Sequence, residues 1–122
     1  MAGTAPSLDQ WLEEAKQDPK ASQVGMYLAH NGVVRANSRK GETVTSMELS
    51  WDSAKLQEVI DEALTLPGIF YFRVWLNEGH LEIGDDIMKV LVGGDIRPNV
   101  VEALTYLVGR IKTEVVVEAE NH

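Results

Sequence analysis

A chain of 122 residues with 44% hydrophobic and 25% charged residues is long enough to bury one core and too apolar for general disorder. Its formal net charge of −8 disfavours nucleic acid and anionic lipid as partners, because an acidic surface repels both unless its few Lys and Arg residues converge. Its eleven Lys and Arg residues suffice for one small anion pocket, which suits a phosphorylated metabolite better than a polyanion, and the absence of cysteine removes disulfides, thiolate metal ligands and cysteine nucleophiles.

The amino-terminal stretch "MAGTAPSLDQWLEEAKQDPK" has no basic region followed by an apolar core, so no secretory signal is expected. No apolar run approaches the ~18 residues of a membrane span. A soluble cytoplasmic protein with a single domain over residues 1–122 is expected, with residues 1–6 disordered.

In chain order, Ser7 and Gln10 form an S-x-x-Q capping box for a first helix with Leu8, Trp11, Leu12 and Ala15 at helical spacing, stopped by "DPK". "QVGMYLAH" reads as a strand with Val24, Met26 and Leu28 on one side. "NSRKGE" is a polar loop and "TVTSMEL" a second strand, and the two strands are expected to form a hairpin with a long basic tip. In "WDSAKLQEVIDEALTLPG", Asp52 or Ser53 caps a helix whose buried stripe is Leu56, Val59, Ile60, Ala63 and Leu64, and Pro67-Gly68 ends it. "IFYFRVWL" is a strand by its β-branched and aromatic content. "NEGHLEIGDD" holds two glycine turns around a short extended piece, and "IMKVLVGG" is the next strand. Pro98 opens a helix carrying Val101, Leu104, Leu107, Val108 and Ile111, and "TEVVVEAE" closes as an edge strand. The order is α-β-β-α-β-β-α-β, an α+β sandwich with helices packed on one sheet.

The most cationic stretch follows "HNGVVR", where Arg35 ends a strand and Arg39 and Lys40 follow in the loop. Taken alone, the stretch reads first as a polar hairpin tip kept soluble by charge. In "VLVGGDIRPNV" a strand ends in Gly93-Gly94 and a helix starts beside Arg97. A helix N-terminus favours an anion there, although a Gly pair before a helix is a weak signal. Lys112, at the end of that helix, is favoured by the macrodipole whatever else it does. His30, His80 and His122 make no metal-ligand spacing and read as non-ligands, and Asp85-Asp86 as a solvated turn. No G-x-S-x-G, Walker loop or dinucleotide fingerprint is present.

Together these stretches resemble the large, catalytic subunit of molybdopterin synthase. "HNGVVRANS" is similar to that family's G-x-V-R segment and polar loop. "VTSMELSWDSAKLQEVIDEAL" is similar to its strand and the helix with an I-x-x-E-A pattern, here Ile60 and Glu62-Ala63. The run from "FRVWLNEGHLEIGDD" to "GRIKTEV" follows its H-R-x-G-x-L-x-x-G-D stretch, helix-opening H-R pair and terminal helix ending in I-K.

The resemblance implies the large-subunit type of single-domain α/β sandwich. It also implies sulfur transfer to cyclic pyranopterin monophosphate from a thiocarboxylate on the Gly-Gly tail of a ubiquitin-like small subunit. A homodimer core of a heterotetramer is implied, and neither cofactor nor metal is expected. By position, Arg35 and Arg97 are implied to bind substrate and Lys112 to be catalytic, and Arg39, in the loop beside Arg35, is expected to bind substrate with them. The sequence departs from the pattern at Ile96, where histidine precedes Arg97, at Leu76-Asn77, where an earlier H-R pair stands, and at Ala119, the place of a second lysine, flanked by Glu118 and Glu120. A non-catalytic paralogue that binds protein or pterin is therefore the alternative.

Overall fold

The computed structural model describes residues 4–122. Two three-stranded antiparallel sheets carry the fold. The first has the order β1 (Met26–Val33), β5 (Asp86–Gly94), β3 (Ile69–Leu76). The second has the order β4 (Gly79–Glu82), β2 (Ser46–Trp51), β6 (Val116–Asn121). The helices are α1 (Leu8–Ala15), α2 (Ser53–Ala63) and α3 (Arg97–Arg110).

Period-two alternation assigns the faces of β5. Met88, Val90 and Val92 enter the main core with Val59 and Ala63 of α2, Val100, Ala103 and Leu107 of α3, and Met47, Leu49, Leu81 and Val116 of the second sheet. Leu91 faces the other way, under Trp11 and Ala15 of α1. Arg73 of β3 clamps α1 there, its guanidinium 4.9 Å over the Trp11 ring and 2.7 Å from the Glu14 carboxylate.

The helix ends follow the sequence. Ser7 accepts the Gln10 N–H at 3.2 Å, and Asp52 accepts the Lys55 N–H at 3.0 Å. At the far end of α2, Arg110 of α3 pairs with Glu62, and it also engages Tyr106 and Glu114. These contacts hold α2, α3 and the following turn as one unit.

Three expectations are corrected. The strands before and after the basic loop form no hairpin: β1 pairs with β5, and β2 with β4 and β6, because each buries its apolar face against a different partner. The helices therefore do not all pack on one sheet: α2 and α3 share the main core with both sheets, while α1 covers the other face of the first. The extended piece in "NEGHLEIGDD" is a true strand, β4, which makes the order α-β-β-α-β-β-β-α-β. Of the segment expected to be disordered, residues 1–3 lie outside the described residues, while the Pro6 carbonyl accepts from Lys89 Nζ at 3.0 Å.

Candidate active site

β5 and α3 run in opposite directions and set the geometry. Asp86, at the start of β5, pairs with Val33 at the end of β1, and Gly94 pairs with Met26 at its start. The nine residues of β5 therefore separate the two ends by about 26 Å at ~3.3 Å per residue. α3, with 14 residues at ~1.5 Å rise, spans about 21 Å back along the sheet. It ends in a π-helical turn, Ile111–Val115, in which the Val116 N–H donates to the Ile111 carbonyl. Such a widened turn changes which way its side chains point and often marks functional sites.

That turn brings Lys112 to the end of β1, into a cavity of about 540 Å³ that Arg35, Arg39 and Lys40 also line. The Arg39 loop is shaped by a turn in which Gly41 N–H donates to the Ser38 carbonyl at 2.9 Å and by the Asn37–Thr43 bridge. Val33, Val34, Met47 and Ile87 give the cavity its apolar floor. Among the described residues, none of these four cations enters an ion pair within the chain. They are free to meet a ligand.

Arg97 is elsewhere. It opens α3 beside Gly94, at the opposite end of the first sheet, and does not line the cavity. The expectation that positions 35, 97 and 112 share one pocket is thus corrected for a single chain: the length of β5 lies between them. The anion favoured at the start of α3 is the chain's own. Asp95 Oδ1 accepts from Ile96 N–H at 2.6 Å and Asn99 Nδ2 at 2.9 Å, and these bonds, Asn99's first, hold its carboxyl below the usual range. The glycine pair has a packing reason rather than a phosphate-binding one. A Cβ at Gly93 would stand 2.8 Å from the Tyr27 ring, and one at Gly94 would stand 2.7 Å from both the Gly68 carbonyl oxygen and Val100 Cγ2.

The remaining candidates also find places. His30 lies half-buried on β1, and burial, with the positive charge of Lys112 second, lowers its pKa and favours the neutral ring. His80 sits between Glu48 and Glu82 on the outer face of the second sheet. Asp85 accepts the Glu82 N–H at 2.8 Å and so organises the turn before β5, while Asp86 accepts Asn31 Nδ2 at 2.9 Å and ties β5 to β1. Among the described residues no three His, Asp or Glu side chains gather as a metal site. Leu76 and Asn77 are buried, and Asn77 Nδ2 donates to the Asp86 carbonyl at 2.8 Å, closing the β3–β5 end. Ile96 is 56% exposed beside Arg97.

Sequence reasoning missed His122, which lines the cavity with its Nδ1 2.8 Å from the Thr43 carbonyl oxygen, and Glu42, which lines it as well. A terminal histidine carries no motif. The available signal was parity: residues 118 and 120 share one side of β6, and His122 follows in the same alternation just beyond it.

The family model described as MoaE protein matches residues 4–114. The chain belongs to the MoaE family. This is the large-subunit family of molybdopterin synthase that the quoted stretches resemble, and sulfur transfer is its general activity. Its fold is shared with a molybdopterin synthase structure from Staphylococcus aureus, at TM-score 0.75 and 23% identity over 95% of this chain and 85% of that one. A MoaE protein from Burkholderia ambifaria MC40-6 gives TM-score 0.77 and 20% identity over 94% and 76%. The complex of subunits 1 and 2 of the molybdopterin-converting factor from Helicobacter pylori 26695 gives 0.68 and 16% over 95% and 79%. No curated protein matches the chain. Among the described residues, no helix is long and apolar enough to cross a membrane.

Proposed function

We propose that this member of the family transfers sulfur from a thiocarboxylated, ubiquitin-like small subunit to cyclic pyranopterin monophosphate, forming the dithiolene of molybdopterin. The observation that carries the reading is the convergence of Arg35, Arg39 and Lys112 on one cavity of a MoaE-family fold. Arg35 and Arg39 hold the substrate's phosphate, for which guanidinium groups supply charge-assisted, paired hydrogen bonds. Lys112 stands where the thiocarboxylate enters, and its ammonium stabilises negative charge on the thiocarboxylate and on the acyl group as sulfur leaves it. The partly apolar floor lowers the local dielectric and so strengthens both interactions.

Arg97, about 26 Å along the sheet from Arg35 by the length of β5, contributes to substrate binding only from a second copy. A homodimer core with a small subunit at each end is accordingly part of the proposal, and the chain acts in the cytoplasm.

Glu118 and Glu120 favour a second reading, because they line the cavity and oppose a phosphate, while Ala119 stands where the family pattern has its second lysine. A paralogue that binds the small subunit or a pterin without turnover has this composition. Incubating the chain with thiocarboxylated small subunit and cyclic pyranopterin monophosphate, and measuring molybdopterin as its oxidised fluorescent derivative, decides between them. Product formation supports the enzyme. Capture of the small subunit without product supports the paralogue, and failure of both overturns the proposal.

A further inference from the structure

The cavity carries carboxylates as well as cations, and a site for phosphate alone has no use for them. Glu118 and Glu120 belong to β6, where Glu120 pairs with Met47 and Glu118 with Leu49. Both partners are buried, so alternation turns the two glutamates to the inner side, and both line the cavity. Ala119, paired with Glu48, belongs to the opposite, outer side. Among the described residues, neither glutamate pairs with Arg35, Arg39, Lys40 or Lys112, although all six line the same space. Charges of both signs are therefore available to a ligand. This wall also lies beyond residues 4–114, the stretch that the family model matches.

We infer that Glu118 and Glu120 determine specificity by accepting hydrogen bonds from the amino-pyrimidinone edge of the pterin, while the cations hold its phosphate. The inference rests on the proposed function and names the part of the substrate that this chain's own wall reads. A pterin presents its 2-amino group and the adjacent ring N–H as two parallel donors, spaced to suit the two oxygens of one carboxylate, and an ionised carboxylate is the strongest acceptor a side chain offers. Glu118 lies toward the Lys112 end of β6 and Glu120 toward the loop that carries Arg39, since His122 reaches Thr43. A ligand with donors at one end and phosphate at the other satisfies both signs of charge. One with phosphate alone meets repulsion.

The test is equilibrium binding to the wild-type chain and to Glu118→Gln, Glu120→Gln and the double variant, whose folding is checked by thermal melting. The probes are cyclic pyranopterin monophosphate, the same phosphorylated skeleton with a 2-oxo group replacing the 2-amino group, and inorganic phosphate. Wild type should prefer the amino ligand by about tenfold or more, the difference expected for a charge-assisted bond, and the double variant should lose that preference. Glutamine variants that bind all three probes more tightly by one common factor would show carboxylates that only repel, and would overturn the inference. Undiminished preference in the double variant would also overturn it. A wild-type chain that makes molybdopterin without distinguishing amino from oxo ligands sinks this inference alone, whereas one that binds no phosphorylated pterin sinks the proposed function with it.

Discussion

Lys112 and Arg35 line one cavity from separate parts of the chain, Arg35 just beyond the end of β1 and Lys112 on the π-helical turn after α3. Lys112 is exposed and, among the described residues, in no ion pair, so removing it disturbs no structural contact of that kind. Lys112→Ala should leave the melting temperature unchanged and reduce molybdopterin formation by about a hundredfold or more, the usual loss for a group that stabilises developing charge. Full activity in this variant would show that the cavity's ammonium has no part in the chemistry.

The guanidinium groups of Arg35 and Arg39 are proposed to see the phosphate rather than the ring. Arg35→Ala and Arg39→Ala should each weaken cyclic pyranopterin monophosphate by about ten- to a hundredfold, with a much smaller effect on a dephosphorylated pterin. Calorimetry with both ligands at two salt concentrations checks this, since the phosphate contribution should shrink as salt rises. Equal weakening of the two ligands would place the arginines against the ring.

How far the sequence revealed this arrangement depends on what kind of information each element needs. Ser7 and Asp52 cap their helices through neighbours three residues away, so α1 and α2 were legible from local spacing. Local composition likewise revealed "IFYFRVWL" and "IMKVLVGG" as strands. It does not say which strand lies alongside, and β1 and β2, close in sequence, entered different sheets. The cations at 35, 39 and 112 were legible as charge near element ends, but their convergence depends on α3 returning along β5. Arg97 was misplaced for the same reason: a motif gives its position on an element, not which end of the sheet that element occupies.

The separation of Arg97 from the cavity makes its role a test of assembly. If it serves the site of a neighbouring copy, Arg97→Ala and Lys112→Ala subunits are each inactive as homodimers but complement one another when mixed. Refolded together in equal amounts, they should recover roughly a quarter of wild-type activity, because half the dimers are mixed and each of those holds one complete site. Arg97→Ala with full activity alone would instead assign that arginine to the surface.

Gly94 isolates the packing role of the glycine pair from any phosphate role. A Cβ at this position would stand 2.7 Å from the Gly68 carbonyl oxygen, which is backbone and cannot rotate away. Gly94→Ala should therefore destabilise the fold by about 1–3 kcal/mol, as overpacking does. Urea denaturation measures the loss, and pterin binding by the fraction still folded should be unchanged. Reduced affinity with unchanged stability would return Gly94 to the ligand site.

His80 gives the second sheet a pH dependence whose sign is fixed by its partners. Hydrogen bonds from the ring to Glu48, and next to Glu82, raise its pKa above the ordinary 6.5. A raised folded-state value means that protonation stabilises the fold, fully below 6.5 and progressively less as pH rises through the folded value. Glu48 has the opposite sign: the same hydrogen bond holds its carboxyl below the ordinary 4.5, so its contribution is complete above 4.5 and is lost as pH falls through the lowered value. The pair is therefore most stabilising between pH 4.5 and 6.5. Because all three side chains are exposed, the effect is a modest tilt of stability with pH, screened by salt. His80→Gln should narrow the stability difference between pH 6 and pH 8.5, and an NMR titration of His80 in the wild type should give a midpoint above 6.5. A midpoint at or below that value would mean that the ring is not held between the two carboxylates in solution.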